Sequence, residues 1–97
     1  MRVRYTPTAG AELASLLDYI AQVNPSGARN VHARIQKVIT LISEYPYVGS
    51  RTNIPGTLYI QTTPYKYLVF YSVGDDEVII ENVIDGTLPP TWLPDED

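Results

Sequence analysis

In the stretch ENVIDGTLPP, Glu81 to Pro90, an acid stands where the last strand should end. Residues Asn82 to Asp85 read as a strand terminus, followed by Gly86 and by Pro89-Pro90, which no sheet interior accepts. A strand end is a place where a rigid scaffold opens a side chain to solvent. Here it carries Asp85 and nothing basic. Few other side chains offer chemistry. Arg51 follows Gly49 in a loop, where it can contact a target or pair with an acid. Lys66 stands between Tyr65 and Tyr67, a position that also suits an edge-strand gatekeeper. Trp92, in PPTWLP, serves either as a clasp over the core or as a contact for a target. His32 is the single histidine and lacks the partners of a metal site or a triad. Six of the eight tyrosines fall between Tyr45 and Tyr71. They can stack bases, although strand tyrosines more often fill a core and leave the hydroxyl at its rim.

Composition narrows the classes. The 97 residues hold no cysteine, which removes disulfides, thiolate catalysis and zinc–sulfur sites together. The hydrophobic fraction of 44% suits a folded chain with one modest core. No apolar run approaches the ~20 residues of a membrane span. The N-terminal MRVRYTPTAG lacks the apolar region of a signal peptide, so a cytoplasmic location is expected. Net charge is −4 and unevenly spread. Residues 1–51 carry six basic residues against three acids, and residues 52–97 carry one, Lys66, against eight. A free nucleic-acid binder shows a dominant basic field, which this chain lacks.

The elements that must position these residues are legible in outline. RVRY alternates and reads as a first strand, 2–5. Thr6-Pro7 is a helix start, a hydroxyl cap followed by proline at the first position. Ala9, Leu13, Leu16, Leu17 and Ile20 then recur at helical spacing, giving a helix over 7–23. Asn24-Pro25 ends it and caps the next. Ala28, Val31, Ile35, Val38, Ile42 and Tyr45 form the stripe of a second helix, 25–45, which Pro46 stops. So short a connection makes the pair an antiparallel hairpin. TLYIQTT, YKYLVFYSV and VIIENVI supply strands near 57–62, 65–73 and 78–84, with GDDE as the loop of a β-hairpin and Asp75-Asp76 as its turn residues. The expected fold is α+β, in the order β-α-α-β-β-β, with the helical hairpin packed on a small, mainly antiparallel sheet. Residues 1–90 form one domain and 91–97 an acidic tail.

Placing Val73 opposite Val78 puts Val69, Tyr71, Val73, Val78 and Ile80 on one sheet face. Strict alternation puts Leu68, Phe70, Ile79 and Val83 on the other, broken by Ser72 and Glu81. Helices cover one face only. The second is therefore covered by loops and tail or offered to a protein partner.

Several stretches in this order resemble the toxins of the RelE/ParE superfamily of type II toxin–antitoxin systems. YTPTAGAELASLLDYI resembles the family's first helix, LISEYPYVGSR its helix end followed by Gly-x-Arg, and YKYLVFYSVGDDEVIIENVIDG its hairpin and final strand. The resemblance covers about residues 2–90. It implies a cognate antitoxin whose disordered C-terminal segment folds on the toxin, and that segment is expected on the second apolar sheet face, with Leu68, Phe70 and Val83 as its contacts, and in the groove beside the helical hairpin. Any DNA contact is then indirect, through the antitoxin, and neither a cofactor, a small-molecule substrate nor a membrane is involved. RelE-like members cleave messenger RNA on the ribosome; ParE-like members inhibit DNA gyrase. Cleavage needs a base, an acid and cations against the phosphate. In the family the last strand commonly ends in His or Arg followed by further Arg. This chain departs from that pattern with Asp85 and then Thr87-Leu88. A nuclease reading would rest on Arg51, Lys66, Asp85 and Tyr67, and a carboxylate repels a phosphate. The resemblance therefore implies a ParE-like gyrase inhibitor with no catalytic residues and with Arg51, Lys66 and Trp92 as target contacts. A RelE-like ribosome-dependent endoribonuclease and a degenerate, non-toxic member are the alternatives.

Overall fold

The computed structural model describes residues 1–87, so Trp92 and the acidic segment 91–97 lie outside the described residues. The chain runs β1 (Arg2–Tyr5), α1 (Pro7–Val23), α2 (Pro25–Glu44), β2 (Ser50–Arg51), β3 (Thr57–Gln61), β4 (Tyr67–Val73) and β5 (Glu77–Asp85). The strands form one sheet in the order β1-β5-β4-β3-β2. β1 pairs parallel with β5, and every other pairing is antiparallel.

Local chemistry sets the helix bounds. The Thr6 hydroxyl accepts the Ala9 amide at 3.0 Å and Pro7 occupies the first turn. Asn24 serves two helices. Its amide donates to the Ile20 carbonyl at 2.7 Å, closing α1, and its side-chain oxygen accepts the Gly27 amide at 3.0 Å, opening α2. Val31, Ile35, Val38, Ile39 and Ile42 of α2 are buried against Val69, Tyr71, Val78, Ile80 and Val83 of the sheet. Tyr45, expected at the end of this stripe, is instead the exposed C-cap of α2. From α1, only Ala9 is fully buried; Leu13, Leu16, Leu17 and Ile20 lie half-buried against the same core.

The β4–β5 ladder corrects one expectation. Val73 pairs with Val78 and Tyr71 with Ile80, but Phe70 pairs with Asn82. Glu81 is the extra residue of a β-bulge, and an extra residue reverses the alternation beyond it. Val83 therefore pairs with Val69 on the helix-covered face, 2% exposed, and does not share a face with Leu68 and Phe70. Those two do face away from the helices, yet they are 5% and 2% exposed, so neither offers an open apolar surface. The Tyr59 ring stacks on Phe70 with centroids 5.7 Å apart, and Gly86 lies against Leu68.

Candidate functional site

The sheet carries its candidate residues at two ends that do not meet. The first is the end of β5. Tyr67 pairs with Asp85, so the turn before β4 lies beside the terminus of β5. That turn is held from both sides: the Thr62 amide donates to the Tyr67 carbonyl at 2.8 Å, and Arg34 of α2 donates to the Thr63 carbonyl at 2.6 Å. Lys66 Nζ then lies 3.0 Å from the Asp85 carboxylate. The other carboxylate oxygen accepts the Thr87 amide at 2.9 Å and the Thr87 hydroxyl at 2.7 Å. These bonds to Thr87, and then the Lys66 ammonium, hold the Asp85 carboxyl below its ordinary range. The hydrogen bond to Asp85 in turn raises Lys66. The Gly86 amide donates to the Lys66 carbonyl at 2.8 Å, and a Cβ on Gly86 would stand 2.5 Å from that oxygen, so the close turn requires glycine.

Asp85 is thus a satisfied turn carboxylate, with both oxygens engaged. Lys66 is spent on neutralising it. Tyr67 is half-buried against the core, with its ring on the helix side of the sheet.

The second end holds Arg51. It pairs with Leu58, which pairs with Tyr71. Tyr71 and Tyr67 are four residues apart on β4, roughly 13 Å along the strands, and β2 lies three strand spacings from β5, roughly 14 Å across them. Arg51 and the Lys66–Asp85 pair therefore share no pocket, and the constellation of Arg51, Lys66, Asp85 and Tyr67 is not assembled.

Around Arg51 the chain forms a cleft of about 690 Å³, walled by Tyr47, Ile54, Leu58 and Val73 among others. Gly49, which also lines it, is anchored by Tyr71, which is fully buried. The Tyr71 hydroxyl donates to the Pro46 carbonyl at 2.8 Å and accepts the Gly49 amide at 2.9 Å. Burial raises the Tyr71 pKa, and the Gly49 amide opposes that in part. A Cβ at Gly49 would meet the hydroxyl at 2.6 Å.

Sequence reasoning did not single out Tyr71 among eight tyrosines, and its position at the centre of the strongest strand was the available signal. Glu12 was also missed. It is a partly buried acid of α1 whose carboxylate accepts the Val83 amide at 3.0 Å and the Asn82 side chain at 3.1 and 3.3 Å. β1 ends at Tyr5, opposite Ile80, so among the described residues no strand lies beside the outer edge of β5 beyond the bulge. Glu12 supplies the missing acceptor. Its place four residues after Thr8, on the helical row next to Ala9 and Leu13, was a weak indication at best.

Among the described residues no group of three or more His, Asp or Glu could hold a metal ion. No helix there is long and apolar enough to cross a membrane.

Comparison with known proteins agrees with this architecture. A search among characterised sequences gives no significant match. A solved chain titled "Chromosomal ParDE TA system from P. aeruginosa" superimposes with a TM-score of 0.68, covering 88% of this chain and 95% of that one at 18% identity, a likeness of fold. The family model described as the ParE toxin of the type II toxin–antitoxin system, parDE, matches residues 3–87. With nearly the whole described chain matched, the protein belongs to the ParE toxin family.

Proposed function

We propose that this chain acts in the cytoplasm as the toxin of a type II toxin–antitoxin module, that its target is DNA gyrase, and that a cognate antitoxin neutralises it. Family membership supports the module, and the geometry favours the gyrase branch over RNA cleavage. The observation that carries the choice is the closed Lys66–Asp85–Thr87 cluster, with Arg51 at the far end of the sheet. Transesterification of RNA needs a base and a cation at one phosphate. This chain separates Arg51 from Lys66 and uses the acid at the end of β5 as a turn brace.

The antitoxin reading leaves the second sheet face and keeps the helical hairpin. Leu68, Phe70 and Val83 are too buried to be the first contacts. The apolar side chains that remain open on the helical hairpin are Tyr19, Val23 and Leu41, and the half-buried Leu16 and Ile20 extend that surface along α1. A disordered segment that folds on binding would lay an apolar face there. DNA is reached only through that antitoxin.

The test pairs two assays on the purified chain. Inhibition of gyrase supercoiling at micromolar protein, with message intact in a cell-free translation reaction, is the expected result. Cleavage of ribosome-bound message, abolished by Asp85→Asn, would overturn it.

A further inference from the structure

Asp85-Gly86 is the one Asp-Gly step in the sequence, and no Asn-Gly step accompanies it. The dipeptide is chemically reactive. Glycine has no Cβ to shield its amide nitrogen, and that nitrogen can close a ring on the carboxyl carbon of the aspartate before it. The fold requires glycine here, because a Cβ would stand 2.5 Å from the Lys66 carbonyl oxygen. The residue that permits the turn is thus the one that leaves the junction open to attack.

The same turn holds both reacting groups back. The Gly86 amide donates to the Lys66 carbonyl at 2.8 Å. The Asp85 carboxylate accepts the Thr87 amide at 2.9 Å and the Thr87 hydroxyl at 2.7 Å, and Lys66 Nζ lies 3.0 Å from its other oxygen. Ring closure must break the first bond and release the others. These partners also favour the carboxylate anion, whose oxygen leaves less readily than that of the neutral acid. The Lys66 and Asp85 side chains are 54% and 33% exposed, so the brace lies at the surface and can open without disturbing the core.

We propose that Asp85-Gly86 is a self-modification site gated by this brace: it stays aspartate while Lys66 and Thr87 hold the carboxylate, and it converts to isoaspartate when they release it. The step needs no reactant but water. The Gly86 nitrogen attacks the Asp85 carboxyl carbon and a C–N bond forms. A carboxyl oxygen leaves as water, taking the amide proton and the carboxyl proton, and a succinimide remains. Water then adds to either ring carbonyl. Opening at the side-chain carbonyl restores aspartate; opening at the main-chain carbonyl leaves Gly86 joined through the side chain. The isoaspartate chain has the same mass and a backbone longer by a single carbon, so Gly86 loses its place against Lys66 and Leu68.

The site is independent of which target the toxin reaches, and its test is separate from the gyrase assay. The full chain is incubated at neutral pH in heavy-oxygen water, once native and once unfolded in urea. Hydrolysis of the succinimide fixes a solvent oxygen at Asp85, which mass spectrometry of the proteolytic fragment reads. Isoaspartate is counted with a protein isoaspartyl methyltransferase. Asp85 should take up label in urea, and the native chain should do so at least about tenfold more slowly. Lys66→Met and Thr87→Val, with folding checked by circular dichroism, should each raise the native rate about threefold to tenfold. Val38→Ala separates the brace from global stability: it should lower Tm at least as much and leave the rate at Asp85 near that of the unaltered chain. An unlabelled Asp85 in urea, equal rates in the native and unfolded chains, brace variants that react no faster, or a Val38→Ala chain as fast as they are would each overturn the proposal. A chain that labels as expected and leaves gyrase untouched keeps this site and loses that target.

Discussion

The hydroxyl of Tyr71 accepts the Gly49 amide at 2.9 Å from inside the core, so a residue of the central sheet holds a loop that is otherwise at the surface. The same hydroxyl donates to Pro46. Tyr71→Phe keeps the ring and strips both bonds. It should cost about 1–3 kcal/mol, since a partly buried amide and carbonyl lose their partner together. Urea denaturation measures it, and an unchanged midpoint would remove the hydroxyl from what holds the loop. The alkaline limb gives a second reading. The folded pKa of Tyr71 is raised, so the folded chain keeps a proton that the unfolded chain loses near about 10. Stability should therefore fall as pH rises past that value, and less steeply in Tyr71→Phe.

Asp85 predicts the opposite limb. Its folded pKa is depressed, chiefly by Thr87 and then by Lys66. Its contribution is present above the unfolded value of about 3.9 and is lost as pH falls through the folded one. The side chain is 33% exposed, so solvent screening keeps the effect below about 1 kcal/mol. Asp85→Asn should lower Tm slightly at neutral pH, and the gap should close at the acid end of a pH series. A gap that widens there would reverse the assignment.

The core under α2 predicts larger losses. Ile35 is fully buried and Val38 is 2% exposed. Ile35→Ala should cost about 2–5 kcal/mol, and Val38→Ala somewhat less because it removes less volume. Chemical denaturation of each variant checks this; a loss below ~1 kcal/mol at Ile35 would mean that the site collapses around the smaller side chain.

Glu12 tests the join between α1 and β5. Glu12→Gln keeps an oxygen acceptor for the Val83 amide, and Glu12→Ala keeps none. The alanine variant should lose about 1–3 kcal/mol and the glutamine variant less. Hydrogen exchange at Val83 reads it directly: protection should survive in Gln and fall in Ala. Equal protection in both would show that the carboxylate does not seal that edge.

These particulars also show what was legible in the sequence. Thr6-Pro7 and Asn24-Pro25 carry cap chemistry in adjacent residues, so both helix starts could be read before any fold was known. β4 and β5 were legible because aromatic and branched residues recur within one short window. β2 was not, since two residues become a strand only when β3 lies beside them. The bulge at Glu81 was not either. Alternation counted from the hairpin is sound up to Ile80, and one extra residue then moves Val83 to the other face. The candidate residues could be named from the sequence as side chains with chemistry, but their separation depends on sheet order. Arg51 and Lys66 are 15 positions apart in the chain; Arg51 lies on the edge strand β2, and Lys66 in the turn before the central strand β4, toward the other end of the sheet.

The parallel pairing of β1 with β5 places the latest strand between two earlier ones. Arg2 meets Glu77, so the first strand waits for a partner some 75 residues downstream. Synthesis runs from the N-terminus, and a contact of that separation carries the loop-closure cost of nearly the whole chain. A nascent chain that stops before β5 has both helices and no way to join β1 to β4. It also lacks Val78, Ile80 and Val83, the floor on which those helices pack. A premature stop anywhere before Glu77 therefore yields a chain with an open core, a substrate for proteolysis and not a shortened toxin.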